Sequence, residues 1–304
     1  MADVAVLIPC LDEEATIAKV VRDFREALPQ AEVFVCDNAS ADATARVAAE
    51  AGATVVFERA RGKGNAVRRL LQDVDAECFV LVDGDDTYPA ESAAEMVRLV
   101  LKEGADMVVG DRLSTTYDEE NTRAFHSFGN RLVRRAVKAV FGEDFADVMS
   151  GYRAFSRRFA KTLPILTGGF EIETEMTVHA LDKRMRVCSV PVAYRNRPEG
   201  SSSKLRTVPD GMRVLGLIAR LFRDYRPLAF FGLVSLVLAA LACVFVAPVL
   251  ASYLQTGTVE RLPTLVVCCF AMLAAMQSLF SGLILQSPRR KERADFELEL
   301  RKLR

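Results

Sequence analysis

The chain contains no tryptophan and only two histidines, His126 and His179, well separated from each other. A histidine-rich metal centre is thereby excluded, because such sites need several imidazoles at short spacing. Its seven cysteines show no C-x-x-C spacing, and Cys10, Cys36, Cys78 and Cys188 lie in or beside apolar strand-like runs. They read as buried, reduced thiols of a cytosolic domain, with neither a disulfide framework nor a zinc site. No G-x-G-x-x-G run follows the first apolar strand, so the dinucleotide-binding fingerprint is missing. Net charge is missing as well. Forty basic and forty acidic residues cancel, which leaves no global basic field for nucleic acid. The N-terminus, Met1-Ala2-Asp3-Val4, has no basic n-region and reads as a first strand rather than a signal peptide.

Charge is also absent locally. Residues 228–250 and 262–287 carry no charged side chain, and each run exceeds the ~20 residues needed to cross a bilayer. Arg220, Arg223 and Arg226 precede the first run, and Arg289, Arg290, Lys291 and Arg293 follow the second, whereas the link from Ala251 to Arg261 carries one Arg and one Glu. The positive-inside rule then makes both ends cytoplasmic and the link an outer loop of a cell-membrane protein. A buried soluble hairpin is the competing reading; length and charge asymmetry weigh against it. Residues 208–226 set Met212, Leu215, Ile218, Phe222 and Tyr225 against Arg213, Arg220, Arg223 and Arg226, the pattern of an interfacial amphipathic helix. The expected organisation is a cytosolic domain over residues 1–206, an interfacial helix over 207–226, two transmembrane helices within 227–288, and a charged helix or frayed tail over 289–304.

At 51% apolar residues the cytosolic part has ample material for a core. Short β-branched or aromatic runs at Val4–Ile8, Val33–Cys36, Thr54–Phe57, Phe79–Val82 and Met107–Val109 alternate with helical patterns near 13–28, 41–51, 64–73 and 90–103. Such alternation predicts an α/β fold with a mainly parallel sheet covered on both faces. The strand ends carry polar residues: Asp12-Glu13-Glu14 after the first, Asp37-Asn38-Ala39-Ser40 after the second, Gly62-Lys63-Gly64 after the third, and Asp83-Gly84-Asp85-Asp86 after the fourth. In an open sheet of this class they converge on one crevice. Asp83 and Asp85 have the chemistry to share Mg2+ or Mn2+ together with substrate phosphates. Glu13 or Asp37 can accept from a base edge or ribose, and the glycines beside Lys63 let backbone N–H groups and an ammonium approach phosphate. Taken singly, Asp37, Ser40 and Asp86 read as helix caps and Lys63 as a solvated charge. Together they describe a nucleotide-diphosphate site with a metal.

The runs Ile8-Pro9-Cys10-Leu11-Asp12-Glu13-Glu14, Asp37-Asn38-Ala39-Ser40, Gly62-Lys63-Gly64 and Asp83-Gly84-Asp85 resemble glycosyltransferase family 2, which has the GT-A fold. Gly110-Asp111-Arg112, Asp147 to Arg153, Phe170 to Glu175 and Arg197 to Lys204 narrow the resemblance to the polyprenyl-phosphate glycosyltransferases. One departure is Asp12, where that family usually has Asn. The resemblance implies that Pro9, Leu11, Glu13, Asp37, Asn38, Ser40, Lys63, Asp83 and Gly84 hold a nucleotide-sugar, and that Asp85 with Asp83 holds the metal. It also implies that Arg123 and Ser127, four apart on a basic helix expected over 122–141 with Arg131, bind the acceptor's lipid phosphate, with Lys204 on a closing loop.

The expected reaction is one inverting transfer from a nucleotide-sugar, with UDP favoured, to polyprenyl phosphate. A phosphate monoester with a second pKa of ~6 is already ionised and can attack directly. Asp83, Asp85, Arg112 and Arg197 would then stabilise the departing diphosphate. Asp147 is either a base or an orienting group, or it holds Arg153 or the Ser150-Gly151 turn. A GDP-mannose donor and an inactive membrane scaffold are the alternatives. A processive polysaccharide synthase is expected to carry Q-x-x-R-W, which a chain without tryptophan cannot have. A homo-oligomer assembled through the hairpin is expected.

Overall fold

Ala5, Val6, Leu7 and Ile8 are wholly buried, so the strand they belong to, β1 (Ala2–Cys10), lies inside the sheet rather than at its edge. The computed structural model describes residues 2–112, 134, 135, 137–139, 142, 147–169, 171–195, 216, 219–259 and 261–302. Along the chain follow α1 (Ile17–Ala27), β2 (Glu32–Asp37), α2 (Thr44–Glu50), β3 (Thr54–Phe57), α3 (Lys63–Asp73), β4 (Ala76–Leu81), a 3-10 turn (Ala90–Ser92), α4 (Ala93–Leu101) and β5 (Met107–Asp111). Next come β6 (Arg153–Ser156), α5 (Arg157–Thr162), α6 (Ile172–Asp182) and β7 (Val187–Pro191), then α7 (Pro227–Thr256) and α8 (Leu262–Lys302). All five strands expected in the first 110 residues form. The first helix starts at Ile17 because residues before it turn through Asp12, whose φ is +53°.

The seven strands form one sheet in the order β3-β2-β1-β4-β6-β5-β7. β3, β2, β1 and β4 run parallel, β6 is antiparallel to both β4 and β5, and β7 is parallel to β5. Strand order reverses at β1, which has β2 on one side and β4 on the other. The crevice outside the carboxyl ends of β1 and β4 is therefore the switch point where open α/β sheets take ligands. Helices cover the faces with ordinary apolar packing: Phe24 of α1 meets Tyr152 edge-on at 5.9 Å, and Phe159 of α5 meets Phe155 of β6 at 5.4 Å.

The chain divides into two compact units, Met1–Val214 and Leu215–Arg304. In the second, α7 and α8 are long and apolar enough to cross a membrane. They leave Leu236, Phe245, Leu254, Phe270 and Ile284 exposed, a surface suited to lipid rather than water. Ser278 donates to the Phe231 carbonyl at 2.9 Å, and Gly282 lies where an added Cβ would be 3.1 Å from Phe231 Cβ. Small residues thus let the two backbones approach, as in membrane helix pairs. The first helix continues beyond residue 250 because Ala251 to Thr256 carries no breaker; Gly257, with φ +68°, ends it. The charged stretch after residue 288 continues α8 as helix to Lys302.

α6 is buried on nearly all sides, including Glu173, Thr174, Thr177, His179 and Asp182. His179 packs edge-on to Phe159 at 5.6 Å. Burial, and next the charge of Lys183, push its pKa down to about 4 from 6.5. The unfolded chain therefore binds a proton that the fold refuses. Stability is full above about pH 6.5 and falls as pH drops towards 4, by on the order of 3 kcal/mol. Urea unfolding followed from neutral to acid pH should show this loss, and His179→Gln should flatten it.

Candidate active site

Cys10 at the end of β1 pairs with Asp37 at the end of β2, so the loops that follow leave the sheet side by side. Asp12 N–H donates to Ser40 Oγ at 3.0 Å, Ala41 N–H to Asp12 Oδ1 at 2.7 Å, and Glu13 N–H to Thr44 Oγ1 at 2.8 Å. Asp12 sits in the left-handed region, which Asp and Asn tolerate better than most residues. An Asn would offer the same Oδ1 acceptor, so the departure at this position preserves the stitch. Buried Asp37 accepts from Ser40 N–H at 3.2 Å. Asn38 donates to the carbonyls of Glu58 and Ala60 at 3.1 and 2.8 Å and accepts from Gly62 N–H at 2.6 Å. Asn38 and Ser40 thereby lock neighbouring loops together. Pro9 is a buried residue of β1, Leu11 is half-buried just after it, and Glu13 is half-buried at the turn into α1.

The acidic turn leaves the end of β4 beside these loops. Gly84 is required there, since a Cβ would collide with Cys10 Sγ, and its carbonyl accepts from Thr16 Oγ1 at 2.7 Å. Asp85 is 4% exposed and accepts from Thr87 Oγ1 at 2.6 Å. Asp86, with φ +57°, pairs with Lys19 at 2.7 Å and lies 3.8 Å from Arg195. It therefore braces the turn from outside rather than capping a helix.

Lys63 turns inward. Its ammonium lies 2.5 Å from Asp83 Oδ1 and 2.5 Å from Glu173 Oε1 on α6. Burial alone pulls the lysine pKa down, but the charges and hydrogen bonds of Asp83 and Glu173 outweigh it and hold the pKa well above the usual range. The adjacent glycines have a packing role. A Cβ at Gly62 would overlap the Gly168 carbonyl, and one at Gly64 would overlap that of Thr167. Gly64 N–H donates to Gly168 O at 3.1 Å. Arg68 grips Ile165 O at 2.7 and 3.0 Å, and Glu175 accepts from Leu166 N–H, Thr167 N–H and the Thr167 hydroxyl. In this structure the Gly62-Lys63-Gly64 run binds other parts of the protein, where the sequence pattern alone points to phosphate.

Arg112, just after β5, forks onto Asp147 with bonds of 2.6 and 3.0 Å. Its guanidinium lies 5.9 Å from the Tyr88 ring centre and 5.4 Å from that of Tyr194, within cation–π range. Tyr88 accepts from Gly151 N–H at 3.1 Å and is held as the neutral phenol by burial. Gly151 is pressed against the acidic turn, because a Cβ there would overlap Asp83 Oδ2. Asp83, Gly151, Tyr88, Arg112 and Asp147 thus form one contiguous assembly. Of the roles considered for Asp147, holding Arg153 goes instead to Ser150 O, Val148 O and Thr177 Oγ1, at 2.9, 2.7 and 2.9 Å from that guanidinium.

Arg123, Ser127, Arg131, Arg197 and Lys204 lie outside the described residues. Tyr88, Tyr194, Glu173 and Arg153 are site residues to which sequence reading assigned no role. Tyr88 immediately follows the acidic turn, a position that could have flagged it; Glu173 meets Lys63 across 110 positions, with no local signal. Among the described residues, no group of three or more His, Cys, Asp and Glu side chains is arranged to enclose a cation.

A mixed sheet with an acidic turn at its switch point defines the GT-A class. Residues 5–163 match the model of Glycosyl transferase family 2. Glycosyltransferase AglJ of Haloferax volcanii is 38% identical over 233 residues, 76% of each chain. The Dolichyl-phosphate hexose transferase of the same organism is 28% identical over 195 residues, covering 64% of this chain and 84% of that one. The crystal structure of glucosyl-3-phosphoglycerate synthase from Mycobacterium tuberculosis in complex with Mn2+, UDP-glucose and phosphoglyceric acid superposes with TM-score 0.56 at 25% identity, covering 73% of this chain and 79% of that one. The chain belongs to glycosyl transferase family 2 and is a glycosyltransferase.

Because Thr167 O is backbone and cannot swing away, Gly64→Ala should lower stability by about 3 kcal/mol. Gly104→Ala, at φ +70° in open space, should lose only about 1 kcal/mol. Denaturant midpoints of the two variants compared with the parent protein check the difference.

Proposed function

We propose that the protein transfers one hexose or N-acetylhexosamine unit from a nucleoside-diphosphate sugar, with UDP as the favoured nucleotide, to polyprenyl phosphate at the cytoplasmic face of a membrane. The observation that carries this reading is the Asp83-Gly84-Asp85 turn at the switch point of the sheet, in a chain that also has two helices of membrane-spanning length. The similarity to a dolichyl-phosphate hexose transferase supports the acceptor, and the UDP-glucose complex of the mycobacterial synthase supports the donor.

Two carboxylates on one turn, with no thiol or imidazole among them, suit a hard cation that takes its remaining ligands from substrate phosphates and water. Asp83 and Asp85 would hold Mg2+ or Mn2+. When bound, the ion supplies positive charge to the departing diphosphate. An ionised phosphate oxygen of the acceptor attacks the anomeric carbon, and the bond from that carbon to the nucleoside diphosphate oxygen breaks. The electron pair leaves with the diphosphate, and no proton needs to be removed from the nucleophile. That balance matches the geometry of Asp147, whose side chain is wholly buried and forked onto Arg112. Asp147 therefore orients Arg112 rather than acting as a base, and Arg112 presents its charge to phosphate from beside the paired rings of Tyr88 and Tyr194. Arg123, Ser127, Arg131 and Lys204 are assigned to the acceptor phosphate, and Arg197 to the departing diphosphate. In this reading the domain boundaries are 1–206, 207–226, 227–288 and 289–304, with both termini cytoplasmic and the hairpins pairing in a homo-oligomer.

Purified full-length protein in detergent, given radiolabelled UDP- and GDP-sugars with undecaprenyl phosphate, should yield a labelled lipid with at least one UDP-sugar. EDTA should abolish the product, and Asp85→Ala should lower kcat/KM by roughly 100-fold or more. A product made only from GDP-mannose would overturn the donor assignment. No lipid product from any donor by folded protein would overturn the acceptor assignment.

A further inference from the structure

The charge pattern around Lys63 is unusual for a nucleotide site. A cation that the sequence pattern aims at phosphate is withdrawn from solvent, with its side chain 10% exposed, and shared between two carboxylates at 2.5 Å each. One of them, Asp83, belongs to the acidic turn. The other, Glu173, is 6% exposed in its side chain and comes from α6, 110 positions away. Gly151 closes the third side, where any Cβ would strike Asp83 and approach Lys63 Nζ to 3.0 Å. The ammonium is thus confined to a small space, and among the described residues these two carboxylates are its ion-pair partners.

We infer that Glu173 is a positioning residue for the cation site: it retains the Lys63 ammonium so that Asp83 can turn its carboxylate to a divalent ion. The inference rests on the reading of Asp83 and Asp85 as metal ligands. In the ion-free protein Lys63 occupies Asp83 and neutralises it. A divalent ion arriving at Asp83 displaces the ammonium, which must keep a counter-charge, because an unpaired buried ammonium carries a penalty of several kcal/mol. Glu173 supplies that counter-charge, already in contact. No bond is made or broken in this exchange; one ion pair is traded for another. Lys63 competes with the metal, and Glu173 weakens the competitor. The two residues should therefore affect metal affinity in opposite directions, although each removes one partner from the same buried network.

The test is Mn2+ binding to the full-length protein in detergent, read by the electron paramagnetic resonance signal of free Mn2+, without sugar transfer. Asp85→Ala serves to subtract binding elsewhere. Glu173→Gln should weaken Mn2+ binding about tenfold, because Asp83 becomes the only carboxylate left to the ammonium; Lys63→Met should tighten it by a similar factor. Where the buried Glu173 left unpaired by Lys63→Met stops that variant folding, the double variant Lys63→Met with Glu173→Gln removes both charges, and it should bind Mn2+ at least as tightly as the parent. Weakening in Lys63→Met or in the double variant would overturn the inference, since a merely structural role predicts loss in all three. Parent protein that binds Mn2+ while Glu173→Gln binds equally well would also overturn it and leave the metal assignment standing. Absence of binding by the parent protein would overturn the metal assignment itself.

Discussion

A buried ammonium shared by two carboxylates holds the carboxyl edge of the sheet together. Lys63 opens α3, Asp83 follows β4 and Glu173 lies in the first turn of α6, so one cation joins three segments that no hydrogen-bond ladder connects. Lys63 and Glu173 are buried and Asp83 is partly exposed, and removing the cation would leave Glu173 as a buried carboxylate without its counter-charge. The small residues around it follow from that constraint. Gly62 and Gly64 let α3 begin hard against residues 167 and 168, and Gly151 lets the turn before β6 close over Asp83. These glycines serve close approach of backbone to backbone.

α6 distributes this order further. Glu173 takes Lys63, Glu175 takes the backbone of residues 166 and 167, and Thr177 takes the guanidinium of Arg153. Positions 173 and 177 share a face by helical geometry, whereas 175 points away from them. All three are engaged because protein surrounds the helix on nearly every side. Burial lowers the Arg153 pKa to about 10, which leaves it charged at neutral pH. That charge gathers the carbonyls of Val148 and Ser150 into the turn ahead of β6. The turn begins at Asp147, the partner of Arg112. A helix without an amphipathic stripe therefore sets both the anionic and the cationic sides of the site.

What could be read from sequence divides along the same line. β1 to β4 and their order of appearance are written in local apolar runs and short connections, and the acidic turn declares itself by three carboxylates after a buried strand. The apolar hairpin is legible from the absence of charge alone. β6 was not anticipated, because Arg153-Ala154-Phe155-Ser156 is four residues long and begins with an arginine that is itself buried. The Asn38 amide is committed to Glu58, Ala60 and Gly62, partners twenty or more positions away that no local run announces. The partners of Lys63 are equally distant in sequence. A lysine between glycines has the local pattern of a phosphate loop, and only the tertiary placement of Glu173 shows where its charge goes.

That placement bears on how two phosphate-bearing substrates could meet at one edge of the sheet. Lys63 is already balanced by more negative charge than it carries, so it contributes little net attraction for a diphosphate. In the proposed reading, positive charge for the donor would then come from a cation bound to the acidic turn and from Arg112. Arg112 is also partly neutralised by Asp147, but that fork and the pair of tyrosine rings against its guanidinium keep its direction fixed. In the proposed reading the site would stabilise phosphate by fixed orientation more than by surplus charge. Such an arrangement favours a substrate already held near its final position. A lipid anchored in the bilayer, with its phosphate confined to the interface, meets that requirement better than an acceptor diffusing freely through the cytosol.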